Sequence, residues 1–374
     1  MKKVIVVGAG ILGASTAYQL AKMGAKVLII DRKDKGQATD AATGIICPWL
    51  SQRNQAWYQL AKAGERFYPG LIEELNSEGE TETGYARVGV LSVHKDIEEA
   101  RNMEEFAQTR KAAAPEIGKI TLLAEKETVN LFPLLAERYH SVHISGAARV
   151  DGRTLRDALL RSAQRNGAVL LSGDATLQYN SNQVTGVAVG DKSYSSDKVI
   201  VCAGAWANQL LEPLGIHFKV SFQKAQILHV KVPDVDDIGK WPVVMPPSNE
   251  YLLAINNQTI VIGATCEDDT EGYDARITAG GIQELLNKGL ELAPSLSNST
   301  FLEARVGFRP FTPGSLPVIG SLPGWDGIIV ANGLGASGLT MGPYIGNQLA
   351  KMALEMDLDI DVNDYDIKGA MGDS

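Results

Sequence analysis

Gly8, Gly10 and Gly13 follow the apolar run Val4–Val7 and lead into a helical pattern carried by Ala14, Ala17, Tyr18, Leu20 and Ala21. Glycines at this spacing act through the backbone. Gly8 permits a tight turn, Gly10 lets the chain approach a pyrophosphate, and Gly13 lets the helix pack on the strand. The free N–H groups around Ile11 and Leu12, at the positive end of that helix, then face the anion. Asp31 follows about twenty positions on, at the tip of a second apolar strand, where a carboxylate reaches adenosine ribose hydroxyls. Together these residues specify a site for an adenine dinucleotide, and FAD and NAD share its geometry.

A second glycine-rich turn, from Asn332 through Gly333, Gly335, Gly338 and Gly342 to Pro343, separates the two cofactors. Its glycines let backbone lie against a planar group, and the helix that follows points its positive end there. A reduced flavin carries negative charge near its pyrimidine ring and gains from such N–H groups, whereas nicotinamide does not. Other chemistries find no residues. His94, His140, His143, His217 and His229 form no triad or metal spacing, and no metal is expected. Cys47, Cys202 and Cys266 are far apart and odd in number, against a disulfide framework and in keeping with a reducing, cytoplasmic compartment.

The elements that must position these turns follow from periodicity. A strand to Val7, a helix ending near Gly24 and a strand Lys26 to Ile30 build the first unit. Residues 38–46 read as a capped loop, and Gln55 to Leu75 as a helical pattern interrupted at Pro69. Val88 to Val93 is a strand, Asp96 to Ala112 a charged helix, and the stretch to His143 polar and less regular. Thr154 to Asn166 is a helix, Ala168 to Leu171 a strand, and Asp191 to Ser196 a turn. Lys198 to Trp206 repeats the strand-to-glycine pattern at Gly204, so the chain re-enters its first domain. Val220 to Val232, Tyr251 to Ile255 and Thr259 to Ala264 favour strands, and Ala279 to Leu292 a helix. Pro343 is expected to open the last helix.

With 374 residues, 45% apolar and 21% charged, the chain has length for two domains of ordinary globular composition. A net charge of -9 argues against nucleic acid or an anionic membrane as partner. No uninterrupted apolar stretch reaches membrane-spanning length, and the glycine unit explains the apolar N-terminus better than a signal peptide does. The expected fold is α/β: a Rossmann-like nucleotide domain (1–84, 145–219, 305–374) with a discontinuous α+β substrate domain (85–144, 220–304) on a mostly antiparallel sheet.

The segments VIVVGAGILGASTAYQLAKMGAKVLIID, ATDAATGI, ARVDGRTLRDAL, DKVIVCAGAWANQLL, VGFRPFTPGSLPVIG and ANGLGASGLTMGP carry a resemblance to the D-amino acid oxidase superfamily of FAD enzymes. The pattern is most similar to its glycine oxidase and D-amino acid dehydrogenase branch. The resemblance implies a glutathione-reductase-type FAD domain. FAD would lie along Gly8, Gly10, Ile11, Leu12 and Gly13, with Asp31 and Arg32 at the ribose and Thr39, Thr43, Gly44 and Ile45 near pyrophosphate and flavin. Thr176, Gly204 and the turn Gly333, Leu334, Gly335, Ala336, Ser337, Gly338, Leu339 and Thr340 complete the cofactor site. Arg309 matches the family arginine that pairs with the substrate carboxylate, and Tyr251 an active-site tyrosine that assists it. Arg309-Pro310-Phe311-Thr312 lacks the cysteine of covalent-flavin relatives, which implies non-covalent FAD. Ala336 replaces a basic residue and Cys266 a methionine of glycine oxidases, so the substrate stays open.

The implied reaction is oxidation of a small amino acid or amine of the glycine, sarcosine or D-amino acid class, with oxygen or another electron acceptor. A 2-hydroxy acid or glycerol-phosphate-type dehydrogenase, an NAD-linked dehydrogenase and a non-catalytic flavin-binding redox subunit are the rivals. Whether the chain forms a homo-oligomer is left open by the sequence.

Overall fold

The computed structural model describes residues 1–233, 235, 237–268 and 272–372. Lys3–Val7 is the inner strand of a six-stranded sheet, flanked by Lys198–Val201 and Lys26–Asp31. Ile328–Asn332 and Val169–Ser172 extend it in parallel, and Val318–Ser321 closes one edge antiparallel. The inner strands are continuous apolar runs because both faces are covered. Helices Ile11–Lys22, Gly152–Arg165 and Gly338–Ala353 cover one face, and Gln55–Ser77 packs outside the last of these. A three-stranded meander, Ala175–Asn180, Gln183–Val189 and Lys192–Ser195, covers the other.

A second sheet has eight strands in the order Thr300–Phe311, Ser221–Lys231, Thr259–Gly263, Tyr251–Ala254, Val243–Met245, Val90–His94, His140–Ile144 and Ile120–Leu123. Only the pairing of Val243–Met245 with Val90–His94 is parallel. The architecture is therefore the α/β one expected, with a mostly antiparallel second sheet. We propose the division into the two discontinuous units drawn above, noting that Thr300–Phe311 runs unbroken through position 304/305. No helix among the described residues is long and apolar enough to cross a membrane.

Four local expectations are corrected. The turn expected at Asp191 to Ser196 contains the strand Lys192–Ser195, an edge strand that turns only Tyr194 toward the core. The irregular stretch before His143 contains Ile120–Leu123, helix Glu125–Leu131 and His140–Ile144, whose histidines masked the alternation. The loop after Asp40 becomes a strand, Thr43–Ile46, paired with Ala148–Asp151. Finally, the last helix begins at Gly338, so Pro343 lies inside it.

That internal proline has a specific partner. Lacking an N–H, Pro343 leaves the carbonyl of Leu339 without its helical donor. The Tyr68 hydroxyl, from Gln55–Ser77, donates to that oxygen at 2.6 Å in a fully buried setting. Removing the donor leaves a buried acceptor unsatisfied, so Tyr68→Phe is expected to cost about 1–3 kcal/mol in denaturant unfolding. A loss below about 0.5 kcal/mol would show that the carbonyl does not depend on Tyr68.

Candidate active site

The glycine turn is built by close backbone contacts. Gly8 has φ +101°, and a Cβ there would stand 2.3 Å from the Cys202 carbonyl oxygen. A Cβ on Gly13 would stand 1.8 Å from the carbonyl oxygen of Gly8, so helix and turn interlock. Gly10, at the N-cap of Ile11–Lys22, has no side chain to cap the helix. Thr39 supplies the cap from elsewhere, its hydroxyl accepting from Ile11 N–H at 3.0 Å. The N–H groups of Leu12 and Gly13 are left without a helical acceptor, as at any helix start.

Asp31 is buried and has a second role beside the one expected. One oxygen accepts from Ala9 N–H at 2.6 Å, tying the glycine turn to the neighbouring strand. The other accepts from Lys33 N–H at 2.6 Å and from Gln37 Nε2 at 2.8 Å. A carboxylate offers about four acceptor positions, so one remains for a ribose hydroxyl. Arg32 donates to Asp34, Asp174 and Gln209.

A cavity of about 390 Å³ opens at the carboxyl ends of the parallel strands, the usual crevice of such sheets. Gly8, Gly10, Ile11, Leu12, Asp31, Arg32, Thr39, Thr176, Gly204, Leu334, Gly335 and Gly338 line it. Gly13 lies behind it as a packing contact. No heavy atom comes nearer than 4.0 Å to where a Cβ would stand on Gly204 or Gly338. Bare helix N–H groups on one wall, a spare carboxylate acceptor and side-chain-free space at two glycines fit an extended dinucleotide.

Thr43, Gly44, Ile45, Gly333, Ala336, Ser337, Leu339 and Thr340 lie outside that lining. Several of them steady the start of the Gly338–Ala353 helix. Thr340 Oγ1 donates to the Ile45 carbonyl at 3.3 Å, Gly44 abuts the Leu339 side chain, and Leu339 O receives Tyr68. Ala336 is exposed. The sequence reading missed Trp206, Gln209, Phe308 and Pro310 in the lining. The signal for the last two was strand alternation: they flank Arg309 and point to the opposite face from it.

Arg309 and Tyr251 form a second group with Thr43. The Tyr251 hydroxyl lies 2.7 Å from Thr43 Oγ1, which joins the eight-stranded sheet to the two-stranded pair Thr43–Ile46 and Ala148–Asp151. Gly263, opposite on the next strand, makes room for the tyrosine ring, since a Cβ there would stand 2.2 Å from it. Burial pushes the phenol above its usual pKa, against the lowering effects of the Thr43 hydrogen bond and the nearby Arg309 charge. Tyr251 therefore stays protonated and available as a donor. Half-buried Arg309 donates from Nη1 to Gln223 Oε1 at 3.1 Å, and the same nitrogen lies 3.6 Å from Cys266 Sγ. Among the described residues it has no carboxylate partner, whereas Arg305 is taken up by Glu303. A half-buried guanidinium without a counter-charge among the described residues is a candidate site for an anion, and its fork matches a carboxylate.

Comparisons with known proteins bear on the family and the fold. The family model described as FAD dependent oxidoreductase, DAO, matches residues 3–352. The uncharacterized oxidoreductase YurR of Bacillus subtilis (strain 168) is 57% identical over 372 residues, covering 99% of this chain and 100% of that one. The glycine oxidase of Pseudomonas aeruginosa is 29% identical over 357 residues, covering 94% of each. Among solved structures, iminodiacetate oxidase (IdaA) from Chelativorans sp. BNC1 superposes with a TM-score of 0.94 at 42% identity, covering 97% of this chain and 98% of that one.

Proposed function

Because the chain belongs to the DAO family of FAD-dependent oxidoreductases, we propose that it oxidises the C–N bond of a small carboxylate-bearing amine. FAD, when bound, would supply a two-electron acceptor for hydride from the carbon next to nitrogen, and the imine left after loss of the N–H proton would hydrolyse to an oxo acid and an amine or ammonia. The glycine turn, Asp31, Thr39, Thr176, Gly204 and Leu334 to Gly338 hold the cofactor in this reading. No covalent tether is invoked: Cys202, the cysteine at the cavity wall, is a buried thiol pushed up to about 12 by desolvation and is unreactive as such.

The chain's own contribution is orientation. Arg309 grips the substrate carboxylate with two parallel hydrogen bonds, and Tyr251, kept protonated by burial, donates a further one. With the carboxylate held, the adjacent carbon is presented in one direction, which is where the rate gain arises. No acid–base dyad is needed if the amine enters neutral. The observation that carries this reading is the half-buried Arg309 guanidinium, without a carboxylate partner among the described residues and near enough for its charge to act on the Tyr251 phenol. Glycine, sarcosine and D-amino acids are candidate substrates, and the name of the iminodiacetate oxidase adds a secondary amine with two carboxylates.

Anaerobic titration of the flavoprotein with glycine, sarcosine, iminodiacetate, D-alanine, D-proline and a 2-hydroxy acid tests the proposal. Bleaching of the flavin band by one or more of the amines, and not by the hydroxy acid, is expected; admitting air then separates an oxidase from a dehydrogenase. Bleaching by the hydroxy acid alone would replace C–N oxidation with C–OH oxidation. A flavin band that responds to none of them would favour a redox subunit.

A further inference from the structure

Resting on the reading of Arg309 as the carboxylate-binding residue, we propose that Gln223 is a positioning residue that insulates Arg309 from Asp268 and so keeps its fork open for substrate. Gln223 stands directly opposite Arg309 in the pairing of Ser221–Lys231 with Thr300–Phe311, so the two side chains emerge on one face. Its Oε1 accepts from Arg309 Nη1 at 3.1 Å, and its Nε2 donates to Asp268 Oδ1 at 2.8 Å. A cation and an anion, neither in an ion pair among the described residues, thus occupy the two ends of one carboxamide.

The chemistry of the amide explains the arrangement. Its oxygen suits a guanidinium and its nitrogen suits a carboxylate, so a single neutral group satisfies both charges without letting them meet. Arginine is long and flexible enough to fold onto a nearby carboxylate once nothing intervenes. An ion pair with the exposed Asp268 would be weak, yet it would use the same fork that binds substrate. Gln223 also restricts the rotamers of Arg309, so that less freedom is lost when a ligand binds.

The test uses the FAD-loaded enzyme, with acetate as a carboxylate probe read by its perturbation of the flavin spectrum, alongside KM and kcat for the amine that bleaches the flavin. Arg309→Leu is the control for the underlying reading: if it leaves acetate affinity intact, Arg309 is not the carboxylate site. Given that control, Gln223→Leu is expected to weaken acetate about fivefold and raise KM similarly, with kcat little changed. Adding Asp268→Asn is expected to restore affinity to within about twofold of the parent, because the competing anion is gone. Gln223→Glu, which keeps the shape and adds a charge that pairs with Arg309, is expected to weaken acetate more than Gln223→Leu does at neutral pH. Unchanged affinity in Gln223→Leu, or a loss that Asp268→Asn does not relieve, would overturn the proposal. So would an acetate affinity in Gln223→Glu equal to that of the parent at neutral pH. Flavin content and thermal unfolding of each variant show whether it folds, and the near-isosteric Glu variant carries the test if the Leu variant does not.

Discussion

Arg309→Leu is expected to lower kcat/KM for carboxylate-bearing amines by about 10²- to 4×10³-fold while leaving flavin content unchanged. The size follows from the cost of leaving one member of a desolvated ion pair without its partner, about 3–5 kcal/mol, at about 1.4 kcal/mol per tenfold. The selectivity for catalysis over cofactor binding follows from strand alternation. Phe308 and Pro310 line the dinucleotide cavity, whereas Arg309 points to the other face, toward Gln223 and Cys266. Arg309→Lys keeps the charge but loses the fork, and should retain part of the activity. Steady-state kinetics on the amine that bleaches the flavin measure the effect, and an unchanged kcat/KM in the Leu variant would remove Arg309 from the substrate site.

Gly13→Ala should abolish flavin retention and lower stability, although it adds one methyl group. That Cβ would lie 1.8 Å from the carbonyl oxygen of Gly8, and neither partner is a flexible side chain that could move aside. The helix must separate from the turn, which destroys the anion-binding geometry and adds an overpacking cost of about 1–3 kcal/mol. Gly338→Ala is the contrasting case. Its Cβ meets nothing nearer than 4.0 Å within the chain, but Gly338 lines the cavity. Alanine is a better helix former than glycine, so the flavin-free protein should be no less stable. Flavin affinity should fall because the added methyl enters ligand space. Flavin per chain after purification, and thermal unfolding with and without added FAD, separate the two effects. A Gly13→Ala protein that retains flavin would refute the interlocking described here.

The turn, the sheet and the second glycine corner were legible because they are local. Gly8, Gly10 and Gly13 lie within six residues, Gly8 required by its φ and Gly13 by close approach. Val4 to Val7 and Lys198 to Val201 are apolar because strands buried on both faces must be. Lys192–Ser195 was not legible, since an edge strand with one inward side chain has little pattern to show. Pro343 misled because its missing donor is offset by Tyr68, which is 271 positions from the carbonyl it serves.

Residue types alone therefore determined that this chain holds an adenine dinucleotide, and the two glycine turns favoured FAD, because those demands fall on contiguous backbone. Tertiary structure decided what surrounds the reactive end. Thr43 meets Tyr251 across 208 positions and Gln223 meets Arg309 across 86. It also decided that Asp31 braces the glycine turn while Thr39 caps its helix. Side-chain pairings of this kind depend on strand register and sheet packing, which set direction and distance between residues that no local periodicity relates.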